Sequence, residues 1–398
     1  MSALKVVLAG ARGHGNWHLR NVRRLAEQGR VELVGICDPV PLTSAELEGF
    51  DGVRQDADLA ALLDATGAQL AILCTPIPTH ADLALTCTRR GVHLLLEKPP
   101  AASYADFRRI QDGVREAGVA CQIGFQSLGS RAIPAIRALL AAGELGEVTG
   151  IGAAGNWCRD EAYWQRARWA GRRRLDGVDV IDGVLTNPLA HALATALALD
   201  GSTLAEDVAG VETELFHAYG IEADDTSCLR LTTARGRRIT VAATLCAEQS
   251  AEPYVMVHCT RGRVTLYYRE DLVLLQRPDC GPEEIHYGRI DLLENLVEHL
   301  TDGTELLVPP ERAGAFMRAL EAIRLAPAPR QLPGSAWRFA PDGRRVVPGI
   351  DTLTAESAER LALYSELGAD WATVPAPVPP GTEPGLSPNS RQTEVEAR

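Results

Sequence analysis

Lys98 stands between Glu97 and Pro99 at the end of an apolar run, Val92-His-Leu-Leu-Leu-Glu97-Lys98-Pro99-Pro100. Of the 40 basic residues in the 398-residue chain, 38 are arginine, and Lys5 and Lys98 are the two lysines. Arginine keeps its charge at any physiological pH, whereas lysine can be tuned to take and give protons. A lysine placed here, in a chain that otherwise uses arginine, is a candidate for contact with a reacting oxygen. A composition poor in lysine explains the ratio without any function. Lys5 reads as an exposed charge at the start of an apolar run. Burial would lower the Lys98 ammonium's pKa, and Glu97 beside it would raise it.

A second group of residues suits a dinucleotide. Gly10-Ala-Arg12-Gly13-His14-Gly15 follows the apolar run Val6–Ala9. Glycines at such a turn let the backbone approach a pyrophosphate held at a helix N-terminus. The usual G-x-G-x-x-G register would use Gly10, residue 12 and Gly15, but residue 12 is arginine and the extra glycine stands at 13. The acid Asp38 closes the next apolar run, 23 residues after Gly15. A carboxylate there accepts from both ribose hydroxyls and repels a 2′-phosphate. The next arginine after Asp38 is Arg54, so the reading favours NAD over NADP. A glycine-rich turn without a ligand, and an Asp-Pro turn, are the plain alternatives. His14 and His18 fall in the first turn of the following helix, where they touch phosphate or simply cap.

These residues must be positioned by elements, and the pattern supplies them. Apolar runs at 6–9, 31–36, 70–74, 92–96 and 120–124 read as buried parallel strands. Helical patterns at 17–27, 79–90 and 103–117 alternate with them, the last opened by a Ser103-Tyr-Ala-Asp106 capping box. Such alternation means βαβ units in a doubly wound parallel sheet. Thr75-Pro76, with His80 just beyond, and Glu97-Lys98 close two of these strands, at the edge where open α/β sheets bind ligands. After about residue 146 the pattern changes. Runs at 148–156, 210–216, 226–233, 238–246, 254–259, 263–268 and 272–276 have connections mostly too short for crossover helices, so this sheet is largely antiparallel. Helices at 187–199, 290–301 and 310–325 flank it. The expected divisions are a nucleotide domain at 1–128, a second α+β domain at 129–335, an extension at 336–374 that packs on the body with a helix near 355–367, and a disordered proline-rich tail at 375–398.

The glycine-rich turn, Asp38, Thr75-Pro76 with His80, and Glu97-Lys98-Pro99, in this order, resemble the Gfo/Idh/MocA oxidoreductases. The resemblance runs over residues 4–326. It implies a Rossmann domain followed by an open-faced, mostly antiparallel sheet domain flanked by helices, and NAD(P)-dependent chemistry on sugars, inositols and related polyols. By resemblance, Gly10, Arg12, Gly13, Gly15, Asp38, Thr75, Pro76, His80, Glu97, Lys98 and Gln126 face the cofactor, and Lys98 touches the reacting oxygen. The family's second motif is an Asp followed four residues later by His. Asp182 fits the acid, but Thr186 stands at the histidine position. Asn187 and His191, spaced i, i+4 on one helix face, resemble a subgroup with a later histidine. Lys98, Asp182 and His191 are therefore the catalytic candidates, with His191 the preferred base because its ordinary pKa is near neutral. Gln126, Trp169, Arg172 and Asn187 join them as candidate substrate contacts, since 163–174 resembles a segment lying over the substrate. A core-facing histidine, a capping Asp182 and a solvated basic loop are the plain alternatives.

The expected reaction is oxidation of a secondary alcohol, or its reverse. A glycoside hydrolase using transient oxidation and a non-catalytic sugar or dinucleotide sensor remain open beside it. Forty basic against 52 acidic residues, a net charge of −12, argues against a general nucleic-acid partner. No apolar run approaches the roughly 18 residues of a membrane span, and the N-terminus reads as a strand rather than a signal peptide. Nine scattered cysteines without Cys-x-x-Cys read as reduced core residues of a cytoplasmic protein. The acidic stretch Glu222-Ala-Asp224-Asp225 reads as a turn, and no metal is expected. By resemblance the chain is a homodimer or homotetramer.

Overall fold

The structure is a computed structural model that describes residues 3–372; the tail expected at 375–398 lies outside them. Six parallel strands form the first sheet: β1 (Leu4–Ala9), β2 (Val31–Cys37), β3 (Arg54–Asp56), β4 (Leu70–Leu73), β5 (His93–Leu96) and β6 (Cys121–Ile123). Their order is β3-β2-β1-β4-β5-β6. Helices α1 (Gly15–Glu27), α2 (Leu59–Thr66), α3 (His80–Thr88) and α4 (Tyr104–Ala117) make the crossovers. The polar β3 carries no apolar signal of its own and is a strand by pairing with Gly35–Cys37. Ser103 caps α4 as its spacing implies, accepting from the Asp106 N–H. The strand order reverses between β1 and β4, so the chain ends leaving them open a crevice.

Helix α5 (Ala132–Ala141) leads to β7 (Val148–Asn156). The short helix α6 (Glu161–Gln165) and the two-residue strands β8 (Arg174–Leu175) and β9 (Val178–Asp179) precede α7 (Ala190–Asp200). The second sheet continues through β10 (Val208–His217), β11 (Thr226–Thr233), β12 (Arg238–Thr244), β13 (Tyr254–Cys259), β14 (Gly262–Tyr267), β15 (Leu272–Gln276) and β16 (Glu283–His286), followed by α8 (Leu292–Asp302), α9 (Gly314–Leu325) and β17 (Arg330–Gln331). Its order is β16-β15-β14-β13-β7-β12-β11-β10-β17. The β7–β12 and β10–β17 pairs are parallel and the rest antiparallel. The Ala- and Leu-rich α7 is buried along its length after His191 and packs on β7, β12 and β13.

The opposite face, expected to be open, is crossed by the C-terminal extension. A small hairpin of β18 (Arg338–Phe339) and β19 (Arg345–Val346) leads into α10 (Ile350–Arg360), which lies on β7 and β12. The helix starts five residues before the expected 355–367, directly after Gly349, and stops where Leu361 turns left-handed at φ 54°. Gly152 of β7 is required there: a Cβ would come within 1.8 Å of the Ala358 carbonyl oxygen. Beyond α10, the Tyr364 hydroxyl donates to Ser227 O at 3.1 Å, and Trp371 meets Phe216 edge-on.

The two domains are tied firmly. Ile123 N–H donates to Val308 O at 2.8 Å, Gln122 Nε2 to Asn295 Oδ1 at 2.6 Å, and Asn21 Nδ2 to Asp291 at 2.8 Å. Among the described residues no helix is long and apolar enough to cross a membrane.

Candidate active site

The turn between β1 and α1 is built by close approach. A Cβ on Gly10, which has φ +79°, would lie 2.4 Å from Cys74 O, and one on Gly15 would lie 2.0 Å from Gly10 O. Gly13, at φ +60°, faces open space, with nothing within 4 Å of its Cβ direction. This turn at the N-terminus of α1 and the carboxylate of Asp38 at the β2 terminus fit a dinucleotide. Arg12 lies at the Asp38 end of the turn. Its guanidinium folds back onto Asp38 Oδ1 at 3.0 Å, Val40 O at 2.6 Å and Pro41 O at 3.0 Å, and its Nε meets Glu46 Oε1 at 3.1 Å. It is a neighbour of the ribose acid rather than of the phosphates.

Glu97 is 4 % exposed and densely bonded. Its Oε1 accepts from His18 Nε2 at 2.9 Å and Gln126 Nε2 at 2.7 Å, and its Oε2 from the Lys98 N–H at 3.1 Å. His14 Nε2 lies 3.5 Å from Oε1. Burial alone would raise this carboxyl, but the hydrogen bonds of His14 and His18 outweigh it and hold the group well below its ordinary value. Among the described residues these three side chains are the one grouping of metal-ligand types within 4.8 Å. A metal-bound imidazole normally donates its second N–H. The buried Nδ1 of His18 has no partner, so a hydrogen-bonded cluster describes the grouping better than a cation site.

Lys98 reaches across the domain boundary. Its Nζ donates to both Asn187 Oδ1 and Asn187 O, each at 2.9 Å. Asn187 Nδ2 donates in turn to Asp182 Oδ1 at 2.7 Å. Burial lowers the Lys98 pKa, against the opposing effect of Glu97. Of the two effects left open by the sequence, burial is the larger.

Asp182 is 1 % exposed, and its oxygens are spent on Asn187, the Gly171 N–H at 2.8 Å and Arg166 Nη2 at 3.1 Å. It therefore positions Asn187 and has no open oxygen for a substrate hydroxyl. Arg166, which stacks over Tyr163 and Trp169, was not singled out by the sequence. Its role depends on the fold of 161–171 over Asp182, and one of the five arginines in 163–174 carries no signal of its own.

Thr186 is buried, its hydroxyl donating to Ile181 O at 2.5 Å and accepting from the Gly183 N–H at 2.9 Å. It is a turn residue without access to chemistry. His191, half-buried one turn beyond Asn187, shares a hydrogen bond of 3.1 Å between Nδ1 and Ser127 Oγ and stands edge-on to Phe125. Burial, with the Lys98 ammonium nearby, pushes its pKa down to about 3.

Two expected contacts, His80 and Arg172, have other partners. His80 is buried, with ring nitrogens 2.8 Å from Thr75 O and 2.9 Å from Pro99 O, so it ties the two strand ends together rather than facing a cofactor. Arg172 pairs with Glu222 and lines a separate cavity of about 440 Å³ with Trp164, Arg168 and Ile221. Trp169 is half-buried and stacks on Arg166, the guanidinium that meets Asp182, so it borders the Asp182/Asn187 side of the site. Thr75 bonds Thr79 through their hydroxyls at 2.7 Å beside Pro76, at the crevice edge. Asp224, read as a plain turn residue, is buried and supports the site from behind: its Oδ2 accepts from the Val184 N–H at 3.2 Å and Ser227 Oγ at 2.6 Å.

A nucleotide-type parallel sheet, a following mixed sheet and a lysine seated between them define a two-domain oxidoreductase architecture. The chain belongs to the Gfo/Idh/MocA family. Residues 4–125 match the model described as the oxidoreductase family, NAD-binding Rossmann fold, and residues 133–265 match the family's C-terminal domain. Among curated relatives, 4-carboxy-2-hydroxymuconate-6-semialdehyde dehydrogenase of Sphingobium sp. is 30% identical over 143 residues, 36% of this chain and 44% of that protein. Inositol 2-dehydrogenase of Streptomyces avermitilis is 30% identical over 145 residues, 36% of this chain and 42% of that protein. The chain thus spans less than half the length of these two relatives. The solved WlbA dehydrogenase of Bordetella pertussis, in complex with NADH and UDP-GlcNAcA, superimposes with a TM-score of 0.67 at 22% identity, over 81% of this chain and 95% of that one. At that identity the likeness is one of fold.

Proposed function

We propose that this chain is an NAD-dependent oxidoreductase that interconverts a secondary hydroxyl of a sugar, inositol or related polyol with the ketone. The observation that carries the reading is the seating of Lys98 Nζ on both oxygens of Asn187 at the ligand-binding edge of the Rossmann sheet. An ammonium has three donors. Two are fixed by Asn187, which leaves the third for a substrate oxygen. A bound nicotinamide would supply the hydride acceptor. Lys98, lowered by burial, takes up the hydroxyl proton as its neutral amine and returns it in the reverse direction. Asp182 fixes the Asn187 amide, and Arg166 balances the buried carboxylate. Burial and the Lys98 charge lower the His191 pKa, which favours Lys98 over His191 for the proton and leaves His191 as a hydrogen-bonding neighbour of Ser127 across the site.

The test is a panel of inositols, aldoses, glycosides and sugar acids offered with NAD+ and NADP+, with NADH formation followed by absorbance. Turnover of a free polyol with net NADH supports the reading. Release of an aglycone without net NADH would overturn it in favour of a glycoside hydrolase. Nucleotide binding without turnover across the panel would make the chain a sensor.

A further inference from the structure

The adenosine end of the crevice holds three charges rather than one. Asp38, the acid expected to receive a ribose, is bridged by Arg12, which comes from the glycine-rich turn instead of from the residues after β2. A lone Asp at this position repels a 2′-phosphate. An Asp neutralised by a guanidinium does so much less, and a guanidinium is itself a bidentate partner for phosphate. Asp38 and Arg12 together therefore leave the choice between NAD and NADP undecided.

A third residue decides it. Glu46, in the loop after β2, takes Arg12 Nε on Oε1 at 3.1 Å and Arg12 Nη2 on Oε2 at 3.4 Å. Thr43 secures the Glu46 carboxylate in turn, through its N–H at 2.8 Å and its hydroxyl at 3.0 Å. The remaining donors of Arg12 are spent on Asp38, Val40 O and Pro41 O. The group of three carries two negative charges and one positive, and the Nε–Nη2 edge of the fork, which suits a phosphate, is already filled by a carboxylate.

We propose that Glu46 is the residue that excludes NADP: it occupies the phosphate-binding edge of Arg12 and restores the net negative charge that Arg12 removes from Asp38. The proposal rests on the dinucleotide-dependent reading above and names the residue that sets the nucleotide class. Neutralising Glu46 would turn Arg12 from a spent group into a receptor for a 2′-phosphate.

The experiment measures dissociation constants of NADH and NADPH by quenching of protein fluorescence, and of 5′-AMP and 2′,5′-ADP by calorimetry, with no substrate present. It uses the full chain, Glu46→Gln, and the double variant Arg12→Ala/Glu46→Gln, with far-UV circular dichroism recorded for each. The wild type is expected to favour NADH over NADPH. Glu46→Gln is expected to raise the NADPH-to-NADH affinity ratio about tenfold, about one charge-assisted contact by the usual conversion of free energy into affinity, with the same shift toward 2′,5′-ADP. The double variant is expected to lose that gain. A ratio in Glu46→Gln within twofold of wild type overturns the proposal, and so does a gain that survives removal of Arg12. Failure of the wild type to bind either reduced dinucleotide overturns instead the reading of the chain as a dinucleotide enzyme, and the inference with it. The glutamine variant keeps hydrogen-bonding capacity toward Thr43, and the two AMP derivatives report on the pocket independently of the nicotinamide end.

Discussion

At the scale of single residues, the chemistry converges on one amine. Lys98→Met keeps the length and removes the donor and acceptor of protons. Turnover should fall by about 10²–10⁴-fold, the usual range for a positioned acid–base group, while NADH binding by fluorescence is retained. Full activity in the variant would remove Lys98 from the reaction. His191 gives a prediction on pH. Its folded pKa of about 3 lies below the ordinary 6.5, so between those values the folded chain binds fewer protons than the unfolded one. Stability on this account is present above 6.5 and is lost as pH falls toward the folded value. Melting temperatures recorded across that window should drop more steeply for the wild type than for His191→Asn. Parallel curves for the two would mean that His191 titrates normally. Lys98, Glu97 and the Asp182/Asn187 pair were legible because each sits in a motif with its own spacing. Arg166, Ser127 and Glu46 were not, because their partners are brought to them only by the fold.

At the scale of elements, the seat of the lysine is a turn, and a turn needs support. Residues 182–187 are anchored through Thr186, whose hydroxyl closes the turn on itself, and through Asp224, which sits behind Val184 and Ser227. Asp224→Ala leaves the buried Ser227 hydroxyl without this acceptor, at a cost of about 1–3 kcal/mol. The expected signature is a lower kcat with unchanged NADH affinity, since the damage falls on the Asn187 side of the cleft; an unaltered kcat would show that the turn holds its shape unaided. Strands rich in apolar residues announced themselves in the sequence. Strand β3 did not, because a three-residue polar segment becomes a strand only by pairing with β2. The last helix was misplaced because Gly349 and the left-handed Leu361 set its limits, and neither bears the usual signature of a cap with a polar side chain at the start and glycine at the end.

At the scale of the whole molecule, the strands β7 and β10–β13 of the second sheet are covered on both faces. Helices α7 and α9 hold one side, and residues 346–371 strap the other with Ile350, Leu363 and Tyr364 fully buried. The strap fits because β7 presents Gly150 and Gly152, where any side chain would strike Leu361 or the α10 backbone. Gly152→Ala places a methyl group 1.8 Å from Ala358 O. Overpacking of this kind costs about 1–3 kcal/mol, so thermal melting should shift down by several degrees and limited proteolysis should cut earlier within the strap. An unchanged melt would mean that α10 can lift without loss. That the extension packs on the body was expected; which face it covers was not legible, because the open sheet followed from the family resemblance, whereas the strap is written in two glycines of β7 some two hundred residues away from it.

That separation has a consequence for how the chain is made. The strands that receive the strap, β7 and β10–β13, are all synthesised by Cys259, but Tyr364 comes about a hundred residues later. At ordinary rates of translation this leaves the glycine-lined face of the sheet bare for on the order of 5–20 s. During that interval the nascent domain has the strands that receive the strap but not the strap itself. The face is covered only after the nucleotide-binding domain is complete, by some of the last residues that the structure describes.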